Sequence, residues 1–297
     1  MKIEDLHHAT TTKIVQLIEA GTKPWAPSWS GATCLQRPLR HNGRPYSGIN
    51  ILLLWMTAME RGFASPVWMT YRQAASAGGQ VRKGERGSPV IAYSPADPEA
   101  EEDDPRSRAF ARAYHVFNLD QIDGVQLEFY APAAVDGGDD RAIDAYDVMM
   151  AHLTPNYVQS VGEAYYCPST DTVHWPAVRD FTSAEHHFAT ACHELCHYSG
   201  AQSRLARPGI VCNRTRERYA FEELVAELGA AFIGATVGVA GEHLDDHASY
   251  LASWIRVLRD PKAIFRAASQ AQQAADFVFP ATLLDDIAAS TGAAEAA

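Results

Sequence analysis

The residues His193, Glu194, Leu195, Cys196 and His197 form an H-E-x-x-H pentamer, which constrains this chain more than any other stretch does. A helix turns about 100° per residue, so two histidines four apart lie on one face, one turn from each other, where both imidazoles can reach a single metal ion. Glu194 follows the first histidine, where its carboxylate can take a proton from water activated by the metal rather than bind the metal itself. With 12 His and 17 Glu in 297 residues, such a pentamer is expected about 0.03 times by chance. The flanking sequence favours a helix: Thr182 and Glu185 read as a capping box, Phe188, Ala189, Cys192, Leu195 and Cys196 form an apolar stripe, and Gly200 supplies a stop. This is the geometry of a zinc hydrolase.

A catalytic zinc needs a third protein ligand, and the segment Tyr219 to Leu228 offers one. Glu223 and Glu227 lie four apart on one face of a predicted helix whose buried side is Phe221, Leu224, Val225 and Leu228. The spacing resembles the E-x-x-x-D of thermolysin-like gluzincins, in which the first acid binds metal and the second hydrogen-bonds the first histidine of the motif. On that basis Glu223 is the expected ligand and Glu227 the expected support behind a histidine. The metal is expected to be Zn2+, with another divalent transition metal such as Mn2+ as the other candidate.

Charge divides the chain in two. Residues 1–95 carry 11 Lys and Arg against 5 Asp and Glu, whereas residues 96–297 carry 14 against 31, so an anionic partner is expected for the first part only. The longest strongly apolar segment, Ile51 to Met59, is far too short to span a bilayer, and no membrane partner is expected. The opening residues do not resemble a signal peptide, and five unevenly spaced cysteines do not resemble a disulfide framework, so the expectation is a cytoplasmic protein with reduced thiols. Cys192 and Cys196 are rotated about 100° from the two histidines and read as small buried hydrophobes.

From the N-terminus, Thr11 to Ala20 reads as an amphipathic helix. A proline-stiffened loop with Trp25 and Trp29 follows, then Arg40, Arg44 and Tyr46, an apolar helix over residues 51–61, Trp68, a helix around Gln73 to Ala77, and a basic glycine-rich turn containing Lys83 and Arg86. Such interleaving of flat rings and cations suits single-stranded nucleic acid, whose bases stack and whose phosphates need positive charge. The candidate contacts are Trp25, Arg40, Arg44, Tyr46, Asn50, Trp68, Lys83 and Arg86. The acidic run from Asp97 to Arg106 is expected as a loop interrupting a hairpin, and Val125 to Tyr130 as a further strand. Residues 132–141 are the expected linker between a domain spanning 1–131 and one spanning 142–297. In the second domain, Tyr165 to Trp175 reads as a hairpin whose edge could pair with an extended peptide, and amphipathic helices are expected over 244–258 and 261–277. Tyr166, Tyr219, His247 and Tyr250 are candidates to stabilise an oxyanion.

Over nearly its whole length the chain resembles the ArdC-like antirestriction proteins of conjugative plasmids. The match rests in the first half on the Pro24-Trp25 element, Tyr46 to Asn50, Trp68 to Tyr71 with Gln73-Ala74, Val81 to Gly87, and Val116 to Gln121. In the second half it rests on His193 to His197, Ser203 to Arg207, Tyr219 to Leu228, and Ala248 to Trp254. The resemblance implies an α+β protein: a small α+β domain that binds single-stranded DNA, then a mainly helical zincin-like metallopeptidase domain with a short β-hairpin. It implies a role where plasmid DNA enters a cell as a single strand. Cys196 within the metal motif and His174 before Trp175-Pro176 depart from the family pattern.

Two functions of different class follow. One is a zinc peptidase tethered to single-stranded DNA, with Glu194 as general base and a DNA-bound protein as substrate. The other is a pure binding protein that shields single-stranded DNA, its metal site inert. A metal-dependent nuclease fits less well, because nucleases favour clustered Asp with Mg2+ over imidazoles.

Overall fold

The computed structural model describes residues 3–25, 36–94, 110–125, 138–212, 215–239 and 248–287. Trp29, the acidic run, residues 126–130 of the expected strand, residues 132–137 of the expected linker, residues 244–247 and the side chain of Tyr250 lie outside them. Residues 138–141 are not linker but the first turn of a helix, where Asp139 and Asp140 complement the positive N-terminal end. Packing separates the chain into two units. The first comprises Met1–Lys13 and Pro38–Ala133, the second Ile14–Arg37 and Ala134–Ala297, so the described residues 14–25 pack with the C-terminal part although they precede most of the first unit. The first helix, α1 (Ile3–Glu19), runs through this division and begins earlier than its apolar spacing suggests, with Glu4 and Asp5 in its opening turn.

The first unit is α+β. Its sheet has strand order β1-β2-β5-β4, from β1 (Leu39–Arg40), β2 (Val67–Met69), β4 (Ser88–Ser94) and β5 (Phe110–Asn118); β1 and β2 are parallel, the other pairs antiparallel. A second ribbon pairs β3 (Gln80–Val81) with β6 (Ile122–Asp123). Side chains alternate across a strand, so β2 feeds two cores. Trp68 packs with Tyr46, Leu54, Val90 and Val116 on the side of helix α2 (Ile49–Arg61). Val67 and Met69 pack with Ala74, Val81, Leu119 and Ile122 on the side of helix α3 (Tyr71–Ser76). The start of α3 is fixed by a capping box: Thr70 Oγ1 accepts from the Gln73 amide and Gln73 Oε1 accepts from the Thr70 amide.

The second unit is mainly helical. Helix α4 (Gly138–Leu153) precedes a three-stranded sheet of order β7-β9-β8, from β7 (Asn156–Gln159), β8 (Tyr165–Cys167) and β9 (Thr172–Trp175). The expected hairpin is β8 and β9; β7, whose four residues are all exposed, joins it in parallel on the other edge. Then come α5 (Ala184–Ser199), the single turn α6 (Pro208–Val211), α7 (Arg216–Val237), α8 (Ala248–Val257) and α9 (Ala263–Val278). The cap of α5 is Ser183, whose Oγ accepts from the His186 amide at 3.0 Å, and not Thr182, whose hydroxyl instead meets His186 Nδ1. Helices α5 and α7 lie close because Gly229 has no side chain: a Cβ there would fall 2.5 Å from the Cys196 sulfur. Among the described residues no helix is long and apolar enough to cross a membrane.

Candidate metal centre

The pentamer lies on α5 and the paired glutamates on α7, two helices packed against each other in the second unit. Their contact brings His193 Nε2, His197 Nε2 and a Glu223 carboxylate oxygen within 4.8 Å of one another, all in buried residues. The two Nε2 atoms are 3.1 Å apart, and each lies 3.5 Å from a Glu223 oxygen. Ligand bonds of about 2.1 Å in a tetrahedral arrangement put donor atoms about 3.4 Å apart, so this spacing fits three donors around one divalent ion.

The tautomer of His197 agrees with that fit. Its Nδ1 lies 3.3 Å from Glu222 Oε1, so the neutral ring carries its proton on Nδ1 and turns the Nε2 lone pair toward the shared centre. Glu222 is in turn held by Arg207, whose Nε lies 3.1 and 3.2 Å from the two carboxylate oxygens; Arg207 also donates to Ser199 Oγ at 2.8 Å and to the Cys196 carbonyl at 2.6 Å. The charges in this buried chain alternate from imidazole to carboxylate to guanidinium. Gly209 makes room for it, since a Cβ there would fall 2.5 Å from Glu222 Cβ.

Without an ion, the cluster stores its charge as protons. Burial opposes an imidazolium at His197, but Glu223 and then Glu222 outweigh it and push the group up to about 10. Burial likewise opposes a carboxylate at Glu223, yet His197 and His193 hold it far below the usual range. A divalent cation in this position would replace those protons.

Glu194 stands beside His193, His197 and Glu223, close enough to feel the charge of each. Its Oε2 accepts the Tyr166 amide at 2.7 Å, which ties the carboxylate to the outer edge of β8. Burial raises the Glu194 carboxyl and the two histidines oppose that rise. The hairpin is anchored in turn by Arg204, which donates to Asp171 at 3.0 Å and to the Tyr198 carbonyl at 2.6 Å, its guanidinium 3.5 Å over the Tyr198 ring. The Tyr166 hydroxyl donates to Asp171 at 2.8 Å, so this expected oxyanion partner is already engaged.

The expected support, Glu227, is elsewhere. It pairs with Lys23 at 3.7 Å, and the nitrogen it was expected to hold, His193 Nδ1, is buried with no hydrogen-bond partner among the described residues. The carboxylate behind His197 is Glu222, which the sequence analysis missed. A signal for it was present in Arg207, since a buried arginine requires a carboxylate, and Glu222 is the acid on α7 adjoining the ligand.

The expected nucleic-acid contacts divide differently. Arg40, Arg44, Lys83 and Arg86 are exposed in the first unit. Trp25, Tyr46, Asn50 and Trp68 are buried, and correcting them as base-stacking surfaces follows from what they touch. Trp25 belongs to the second unit, edge-on to Trp254 at 5.8 Å. Trp68 and Tyr46 fill the core under α2. Asn50 exchanges two hydrogen bonds with the backbone of Ile91, at 2.7 and 2.8 Å.

Comparison with known proteins also finds two parts in the chain. Residues 4–117 match the N-terminal domain of anti-restriction factor ArdC, and residues 144–270 match a zincin-like metallopeptidase. The chain is 37% identical over 286 residues to the uncharacterized protein y4eC of Sinorhizobium fredii (strain NBRC 101917 / NGR234), covering 92% of this chain and 91% of that one. It is 35% identical over 300 residues to a DNA primase TraC of Escherichia coli, of whose length it spans 27%. The crystal structures of the antirestriction ArdC protein from plasmid R388, metal-free and Mn(II)-bound, each superpose with a TM-score of 0.76 at 38% identity, covering 96% of this chain and 98% of the other. This chain therefore belongs to the ArdC family of antirestriction proteins, with an ArdC-type N-terminal domain followed by a zincin-like metallopeptidase domain.

Proposed function

We propose that this protein is a zinc-dependent peptidase that acts on proteins associated with single-stranded DNA, held there by its basic first unit. The observation that carries the reading is the convergence of His193, His197 and Glu223 with Glu194 beside them: three donors of the right type and spacing, and one carboxylate that binds none of them. His193, His197 and Glu223 would hold the divalent ion, which when bound would supply Lewis acidity toward a scissile carbonyl and toward water. Glu194 then acts as general base. Its position, set by the Tyr166 amide, lets it take a proton from attacking water and pass it to the departing amine, a contribution of about 10²–10⁴-fold. Burial around the site excludes bulk water and strengthens each of these interactions. Imidazole donors favour Zn2+, and the Mn(II)-bound R388 relative makes Mn2+ the natural second ion to assay.

The test is Glu194→Ala beside wild type, measured for metal content, single-stranded DNA binding, proteolysis of DNA-bound proteins, and protection of incoming DNA from restriction. Metal and DNA binding should persist while proteolysis falls by two orders of magnitude or more. Protection that stays undiminished in a variant without proteolysis would assign antirestriction to shielding by the first unit instead.

A further inference from the structure

With Trp25, Tyr46 and Trp68 buried, the rings available to a single strand must come from elsewhere, and the first unit presents a different set. Tyr71, at the start of α3, is 51% exposed and stands edge-on to Phe117 of β5, centroids 6.4 Å apart. Phe117 and His115 are two apart on β5 and so share a face. Gly87 lies against both: a Cβ there would fall 3.0 Å from His115 Cβ and 3.3 Å from Phe117 Cζ, so the absence of a side chain keeps this stretch of sheet bare. Phe117 is half-buried at the margin of the core under α3, and His115, farther out along the strand, is exposed. The helix layer thus ends at a row of three rings.

Three cations around these rings form no ion pair with Glu85 or Asp123, both of which meet Arg82. Arg86 immediately precedes Gly87, Lys83 lies on the same turn, and Arg72 follows Tyr71; all three are exposed. The nearby Arg82 serves the turn instead, donating to Glu85, Asp123 and the Asp120 carbonyl. Glu85, the acid on that turn, is paired with Arg82 and accepts a hydrogen bond from Gln121 Nε2 at 2.8 Å.

We propose that single-stranded nucleic acid binds across this margin of the first unit, with bases stacking on Tyr71, Phe117 and His115 and phosphates paired with Arg72, Lys83 and Arg86. The assignment rests on the reading that the first unit binds single-stranded DNA, and it moves the contact surface from the buried tryptophans to a sheet face. Rings without base-edge readers stack any base, so binding is indifferent to sequence. Duplex DNA, whose bases already stack on each other, gains only the phosphate contacts.

The experiment uses the full chain, a labelled single-stranded oligonucleotide of mixed sequence, and the matching duplex. Tyr71→Leu keeps apolar bulk and removes the stacking face, and should weaken binding about 5- to 100-fold with an unchanged unfolding temperature. Gln80→Ala is the control: it removes the hydrogen bond that Gln80 donates to the Tyr71 hydroxyl but leaves the ring, and should bind as wild type does. Lys83→Ala and Arg86→Ala should each flatten the slope of log affinity against log salt by about 0.7. An oligonucleotide carrying 5-iodouracil should crosslink to peptides containing Tyr71 and His115. If wild type binds single strands but Tyr71→Leu binds equally well and the crosslinks map elsewhere, for instance to Arg40 and Arg44, this surface is wrong and the DNA-binding reading stands. If wild type binds no single strand, or prefers duplex, both fall.

Discussion

The two units keep their polar chemistry in opposite places. In the second, His193, Glu194, His197, Arg207, Glu222 and Glu223 are all less than 10% exposed, so the charged groups form an interior. In the first, the cores under α2 and α3 are dominated by apolar side chains, and Arg40, Arg44, Arg72, Lys83 and Arg86 stand outside. An interior site ties function to folding, because each group is both reagent and structural partner. A peripheral one leaves the two separable, and side chains there can change with little effect on the fold.

That contrast can be broken most directly at Arg207. Replacing it by Ala leaves the Glu222 carboxylate buried without its cation, which should cost about 3–5 kcal/mol, read as a lowered midpoint in denaturant unfolding. Arg86→Ala in the first unit should stay within about 0.5 kcal/mol of wild type in the same measurement. Similar losses for the two would erase the distinction.

A second test probes the chain behind the metal site. Glu222→Gln keeps the shape of the side chain but gives His197 and Arg207 a neutral partner, and divalent metal affinity measured by calorimetry should fall about 10- to 100-fold. Glu227→Gln, which disturbs only the pairing with Lys23, should leave that affinity unchanged. Gly229→Ala tests packing rather than charge: the added methyl meets the Cys196 sulfur and should cost about 1–3 kcal/mol.

The mildest perturbation is addition or removal of the ion. At a free concentration 100 times its dissociation constant, a bound metal stabilises the state that binds it by about 2.7 kcal/mol. Hydrogen exchange should therefore slow in α5 and α7 on adding Zn2+ or Mn2+ and recover on chelation, while α2 and β5 exchange at an unchanged rate. Equal protection in both units would mean that they open together.

How much could be read from the sequence follows the same division. The α+β class, the helices under the metal motif and the β8–β9 hairpin were legible, because each is fixed by spacing within a short stretch. The juxtaposition of His193 and His197 was legible for that reason, and that of Glu223 with them because its helix repeats the pattern. Glu222 was not, since its role depends on Arg207 arriving from a separate loop. Trp25 failed for a related reason: its neighbour is Trp254, far along the chain, and nothing near residue 25 announces that burial. Tyr46 and Trp68 have the composition of stacking residues, and only the packing of α2 on the sheet puts them inside. Strand β7 has no alternation to mark it, since all four of its residues face solvent and it is held by its neighbour's backbone.

The bond from the Tyr166 amide to Glu194 has one more consequence. Its donor is main chain, so every residue type but proline can supply it, and the hold on Glu194 does not depend on the buried Tyr166 ring as long as the strand keeps its course. The identity of the carboxylate must be inherited letter by letter, whereas its alignment is inherited with the course of the strand. An exposed neighbour on the same strand, such as Tyr165, can therefore change while the main-chain hold on Glu194 persists.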